Sequence, residues 1–232
     1  MTHVSVLSVE LHAHSSASHD GRDPIDLLLE QAQAIGLDAL AITDHDRIDA
    51  SLEAADRAAD YGLIGIPGIE ITTAAGHLLG IGITKRIEAG LSFVETVDAI
   101  HDCGGIAIVP HPFQESRHGV AKHLSGDEIA VADAIEVYNS RLLVGLGNRR
   151  ARRFAASRRL PQVAGSDAHI SEMVGQARTL IDVDDRSVQG IVDAIRAGRT
   201  QTEGQRTPWR ISMLQAAGGI KRRINRRMSS HR

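Results

Sequence analysis

An α/β fold, either a closed barrel or an open sheet, is predicted by three features of the sequence. Short β-rich runs alternate with longer helical stretches almost from end to end. Most of the short runs are continuously apolar, as parallel strands buried on both faces are. Gly36, Gly62, Gly104 and Gly198 each follow a helical stretch, where a left-handed residue is wanted to close the last turn. One compact domain fits either architecture.

In chain order, a strand over residues 7–12 leads to a helix over 24–35. Pro24 suits the first turn of that helix, Asp23 is its expected N-cap, and Gly36 ends it. A strand over 39–43 precedes a helix over 48–61, ended by Gly62. Strands over 63–71 and 77–83 then follow without an intervening helix. A helix over 91–103 ends at Gly104, before a strand over 105–109. The pattern continues with helix 125–131, strand 134–138, helix 142–157, strands 162–164 and 179–183, and helix 185–197, which Gly198 ends. After Gly204 it decays into an arginine-rich stretch with an expected peripheral helix over 209–228. Residues 1–204 are thus expected to form the domain and 205–232 a short basic C-terminal helical tail.

Composition narrows the function classes. Hydrophobic residues make up 42% of the 232, as in a soluble globular protein, while aromatics make up 3%, so Ala, Val, Ile and Leu must carry the core. The single cysteine, Cys103, rules out an internal disulfide and fits a reducing compartment. The N-terminus lacks the basic and apolar regions of a signal peptide, and no apolar run approaches the roughly 18 residues that span a bilayer, so a cytoplasmic location without a membrane partner is expected. Six of the chain's 26 Lys and Arg lie after residue 218, where there is no acid; the body before them is outnumbered by its share of 29 Asp and Glu. An acidic body argues against a broad nucleic-acid-binding surface. The twelve histidines are the outlier, about twice ordinary usage.

Those histidines fall at strand ends together with acids. His12 and His14 follow the first run, Asp44, His45 and Asp46 the second, and Glu70 ends the third; His77 opens the next, and His111 ends Ile-Ala-Ile-Val-Pro-His. Asp167 and His169 follow Val-Ala-Gly-Ser. This is the end at which barrel and open-sheet enzymes place their chemistry. Residues two apart on an extended segment project to one side, so both rings of His12-x-His14 can reach one ion. Imidazole with carboxylate, and no thiolate, suits Zn, Mn, Fe or Ni. The ligand-type residues exceed one tetrahedral shell, which points to two or three divalent ions clamping a phosphoryl group.

His12-x-His14, Thr43-Asp-His-Asp46, Glu70, His77, His111-Pro112 and Gly165-Ser-Asp-Ala-His169, in that order, resemble the PHP (polymerase and histidinol phosphatase) family, over residues 10 to about 183. The resemblance implies a distorted seven-stranded (β/α) barrel with a trinuclear centre at the strand C-termini. It implies that His12, His14, Glu70 and Asp167 hold a first ion, that Glu70 bridges to a second on His77 and His111, and that His19, His45 and His169 hold a third. Two positions depart from the family pattern. Glu10 stands where the family has Asp, and the family's Ser-Asp-Gly becomes Ser18-His19-Asp20-Gly21. Counting five residues on from His14 places His19 in the ligand position, with Asp20 the alternative if the loop carries an insertion.

The expected reaction is hydrolysis of a phosphate ester by metal-activated water, with two to three Mn, Zn or Fe ions and a small phosphorylated metabolite or nucleotide as substrate. Arg117 and Arg141, in loops beside the motifs, are candidates to hold the phosphate, since arginine's fork fits its oxygens. Asp44 and Asp46 are candidates for proton transfer. The arginine run 149–159 reads as a solvated helical face, and Glu136 as an ordinary polar residue of the barrel. The rival enzymatic readings are histidinol-phosphate hydrolysis and nuclease or phosphodiesterase action on short oligonucleotides; a non-catalytic metal-binding module is the rival from another class.

Overall fold

A computed structural model describes residues 5–141 and 145–205. The expected tail helix over 209–228 and the start of the expected helix over 142–157 lie outside those residues. The described chain is α/β and forms a nearly closed barrel. Its strands are β1 (Ser5–Glu10), β2 (Ala39–Ile42), β3 (Ile64–Thr73), β4 (Gly76–Ile81), β5 (Ile106–Val109), β6 (Ala134–Asn139), β7 (Gln162–Gly165), β8 (Ala177–Val183) and β9 (Thr200–Gly204). The helices are α1 (Ile25–Ala34), α2 (Asp49–Arg57), α3 (Phe93–Asp102), α4 (Gly126–Ile129), α5 (Leu146–Arg158) and α6 (Val188–Arg196).

The sheet runs in the order β7-β6-β5-β4-β3-β2-β1-β8-β9. β1, β2 and β3 pair in parallel, as do β5, β6 and β7, but β4 is antiparallel to both of its neighbours. That reversal is the distortion of the barrel: β3 turns directly into β4 through residues 73–76, without a helix. The sequence reading of mostly parallel strands therefore fails at β4 and again at β8 and β9, which add antiparallel to β1 and to each other. β9 was not expected at all. Its Thr-Gln-Thr-Glu-Gly is polar and largely exposed, because an edge strand needs no apolar run.

The seam between the sheet's ends is drawn together in two ways. Near the strand C-termini Ala13 bridges Ala168 in parallel, with His14 N–H donating to Ala168 O at 2.7 Å. Lower down, buried Thr179 of β8 donates its hydroxyl to Ala164 O of β7 at 3.0 Å and accepts from Ala164 N–H at 2.9 Å. Leu7, Val9, Ile66, Ile81, Ile106 and Ile108 are among the apolar residues packed inside the barrel, joined by Ile191 and Ile195 of α6. Arg196 of α6 donates to Gly105 O just before β5 at 2.6 Å, so α6 caps the N-terminal ends of the strands and leaves the other end open.

Local signals mostly hold. Gly36, Gly62, Gly104 and Gly198 all adopt positive φ after their helices. The N-cap of α1 is a correction: Pro24 occupies it without a side-chain bond, because Asp23 instead accepts Ser171 N–H at 2.7 Å. Among the described residues no helix is long and apolar enough to cross a membrane.

Candidate metal centre

At the open end, the strands deliver ligand-type side chains toward one carboxylate. Glu70 lies on β3, 1% exposed, with five imidazoles around it. His12 Nε2 is 3.4 Å and His14 Nε2 3.2 Å from Glu70 Oε2, as is His45 Nδ1 at 3.3 Å. His77 Nδ1 and His111 Nε2 lie 2.8 and 3.3 Å from Oε1. The antiparallel course of β4 explains the place of His77: the first residues of that strand lie at the end where the others finish. Asp167, after β7, adds a second carboxylate 3.7 Å from His14 Nε2 and 3.3 Å from His169 Nδ1.

Four groupings have candidate ligand atoms all within 4.8 Å of one another: His14, Asp20, His45 and His169; His12, His111 and Asp167; His12, His14 and Glu70; and His45, Glu70 and His77. All the expected ligands but one therefore come together. The exception is His19, which is exposed, lies tilted at 40° against the ring of His45 with centroids 4.8 Å apart, and joins none of the groupings. Asp20 takes its place in the geometry, with Oδ2 2.6 Å from His169 Nε2 and 3.6 Å from His45 Nε2.

Several polar atoms in this cluster stand close to one another yet are buried without a well-aligned hydrogen bond among the described residues: both ring nitrogens of His14, Glu70 Oε1, His77 Nδ1 and His111 Nδ1. Leaving such an atom unsatisfied costs about 1–3 kcal/mol. A run of them around one carboxylate is a donor set that fits cations. Protonation fits as well. Burial, then the neighbouring His169, pushes His14 down to about 4, so its ring is neutral and available near neutral pH. Burial would raise Glu70, but His45, His77 and His12 outweigh it and hold the carboxyl well below its ordinary value. Burial likewise opposes, and Arg141 and Arg117 then reverse, the shift of Asp167, which also stays ionised.

The backbone is strained here. Asp46, His111, His118 and Asp167 have φ of +54°, +33°, +57° and +52°, and all four line one cavity of about 580 Å³. Non-glycine residues in this region are tolerated where their surroundings over-determine them. Arg117 and Arg141 line the same cavity and converge on Asp167, at 2.6 and 3.2 Å. Asp44 is turned away: Ser15 N–H and hydroxyl donate to its two oxygens at 2.7 and 2.5 Å. Asp46 lines the cavity while accepting from Thr72 N–H and hydroxyl at 2.7 and 2.9 Å.

Two buried glutamates organise the site. Glu136, read from sequence as an ordinary polar residue, has Oε1 2.9 Å from His12 Nδ1 and Oε2 accepting His111 N–H at 2.9 Å. Glu10 accepts the N–H groups of His12, Ser166 and Gly175, each at 3.0 Å. Burial, against those hydrogen bonds, pushes its carboxyl up to about 7. The arginine run on α5 is partly engaged in packing: Arg150 lies over Phe113, 4.7 Å from the centroid, and Arg158 pairs with Asp127.

Comparison with known proteins agrees with this geometry. The family model for the PHP domain matches residues 10–146, and a PHP-associated model matches residues 145–200. The chain belongs to the PHP domain family. An uncharacterised protein of Methanocaldococcus jannaschii is 31% identical over 157 residues, covering 62% of this chain and 89% of that protein. Among solved structures, a two-domain protein of Bacteroides vulgatus, described as containing a predicted PHP-like metal-dependent phosphoesterase, aligns with a TM-score of 0.75 at 21% identity, over 87% of this chain and 66% of that one. The lesion-specific endonuclease Q of Pyrococcus furiosus aligns with a TM-score of 0.64 at 18% identity, over 85% of this chain and 58% of that one. These two likenesses are of fold.

Proposed function

We propose that this protein is a metal-dependent phosphoesterase acting on a small phosphorylated metabolite or nucleotide in the cytoplasm. The observation that carries the reading is Glu70, a buried carboxylate ringed by five histidines, where Glu70 Oε1 and ring nitrogens of His14, His77 and His111 are buried without a well-aligned hydrogen bond. In this reading His12, His14, Glu70 and Asp167 hold one divalent ion, Glu70 with His77 and His111 a second, and Asp20, His45 and His169 a third. Asp20 is preferred to His19 because its carboxylate faces both partner rings. Bound Mn, Zn or Fe would supply Lewis acidity and lower the pKa of water.

The remaining work falls to the chain. Arg117 and Arg141 have fork donors to offer phosphoryl oxygens in the cavity they line. Asp46, the cavity-lining member of its pair, is the candidate to move a proton at the leaving-group oxygen; Asp44 supports the His14–Ser15 turn. Glu136 and Glu10 hold His12 in place.

Elemental analysis should find about two to three Zn, Mn or Fe per chain. His14→Ala and Asp167→Ala should abolish turnover in a phosphate-release screen over nucleotides, histidinol phosphate and short oligonucleotides. Full activity in metal-free protein would sink the reading. The oligonucleotide alternative draws on the arginines of α5, and salt separates it: a nuclease guided by them loses affinity steeply as salt rises.

A further inference from the structure

His118 is not one of the expected ligands and joins none of the ion-compatible groupings, yet it is built into the cavity wall. Its backbone is left-handed, φ +57° and ψ +33°, at a residue with a full side chain. Three contacts fix that conformation. His118 O accepts His77 N–H at 3.0 Å, and His118 N–H donates to Glu115 O at 3.3 Å. Gly76, at φ +138°, leaves the room: a Cβ there would stand 2.2 Å from His118 O. The loop before it folds back as tightly, since a Cβ on Gly119 would meet His111 O and Pro112 O at 2.7 Å.

The result is an exposed imidazole stacked on His77, with centroids 4.9 Å apart and ring planes 18° from parallel. His77 in turn faces Glu70. One face of the His118 ring is covered by His77, and the ring stands at the mouth of the cavity whose floor is the Glu70 cluster. A strained, exposed ring held there by backbone contacts is placed for something outside the chain.

Resting on the phosphoesterase reading, we infer that His118 is a positioning residue for the leaving group: its outer ring face is a shelf on which a planar alcohol portion of the ester stacks while the phosphate reaches the floor. Among the described rings that line the cavity, the exposed His19 is tilted 40° against His45, whereas His118 lies within 18° of parallel to His77 and so offers a backed, flat face; stacking on such a face is tolerant of which planar group sits there. Planar leaving groups, such as aryl or nucleoside, are then favoured over flexible aliphatic ones.

The test uses His118→Gly and His118→Phe in the metal-loaded protein. Glycine adopts positive φ without strain, so His118→Gly should fold and melt no lower than the parent. Calorimetry would compare phenylphosphonate with methylphosphonate. The parent should prefer the phenyl compound, His118→Gly should lose that preference by about tenfold, and His118→Phe should restore it. With p-nitrophenyl phosphate, His118→Gly should raise KM by about tenfold while kcat holds, the signature of lost binding rather than lost chemistry. Equal weakening of both phosphonates, or a fall in kcat with KM unchanged, overturns the shelf. If the parent hydrolyses no ester, the phosphoesterase reading falls, and the phosphonate comparison still decides His118.

Discussion

Glu136 Oε1 lies 2.9 Å from Nδ1 of His12, and the other oxygen of the same carboxylate accepts the backbone N–H of His111. One side chain of β6 thus sets the ring of a residue after β1 and the backbone of a residue after β5. A carboxylate on Nδ1 fixes the tautomer that leaves Nε2 free, and it raises the ring's basicity as a ligand. His12 Nε2 is the nitrogen that points to Glu70.

Glu136→Ala is therefore expected to weaken metal binding by about 10- to 100-fold, although Glu136 need not touch an ion. Competition against a chelator of known affinity measures it. Unchanged affinity would mean that His12 is oriented by something else.

Much of this was legible in the sequence, because the signals were local. His12-x-His14 and Asp167-x-His169 sit beyond apolar runs, and the glycine stops after the helices hold. What escaped needed three dimensions. Glu136 and Asn139 are three apart, which strict alternation would put on opposite faces, yet the β-bulge in the pairing of β6 with β7 lets Asn139 Nδ2 donate to Glu136 Oε2 at 3.0 Å. Glu10 stands out in sequence only as a departure from the family pattern; its role is not legible there because two of its partners, Ser166 and Gly175, lie more than 150 residues away. Which of His19 and Asp20 approaches His169 depends on how the loop folds back, which counting residues does not give; Asp20 Oδ2 is the atom that lies 2.6 Å from His169 Nε2.

Metal loading should raise stability as well as activity, since the ions would satisfy polar atoms that are otherwise buried without a well-aligned hydrogen bond. Ligand present at about 100 times its dissociation constant contributes about 2.7 kcal/mol per independent site. Thermal melts of chelator-treated protein, titrated with Mn or Zn, should show the midpoint climbing with metal concentration. A midpoint indifferent to metal would count against the cluster as a cation site.

Protons should leave as metal enters. Burial lowers both His45 and His14, but Glu70 and Asp20 outweigh it at His45 and lift that ring to about 9, while His14 falls to about 4. Burial lowers His12 too, but Glu136, Glu70 and Asp167 outweigh it and hold that ring well above its ordinary value. Near neutral pH the metal-free protein thus holds a proton on His45 and on His12, and none on His14. A ligand must be deprotonated, so ions that take His45 and His12 displace about two protons near neutral pH. Affinity therefore rises with pH and flattens only once both rings have lost their protons, with no contribution from His14 in that range. Calorimetry in buffers of different ionisation enthalpy counts the protons, and a count of zero would remove both rings from the ligand set.

Closure of the barrel rests on side chains where β7 and β8 meet, and Thr179 is the residue to change. Its hydroxyl is fully buried and serves both polar groups of Ala164, donating to the carbonyl and accepting from the N–H. Thr179→Val keeps the shape and removes that hydroxyl. Ala164 N–H and O would then be buried with one partner fewer each, a loss of about 2 kcal/mol. Denaturant unfolding of the metal-free protein should show the midpoint falling with the slope unchanged, because the same surface is still exposed on unfolding. Ala164 is three residues before Asp167, so the change also asks whether the seam positions the metal centre. If the strands around Thr179 only close the barrel, metal affinity stays at the parent value while stability drops. A parallel loss of both would mean that the register of β7, and with it the approach of Asp167 to His14, depends on this one hydroxyl.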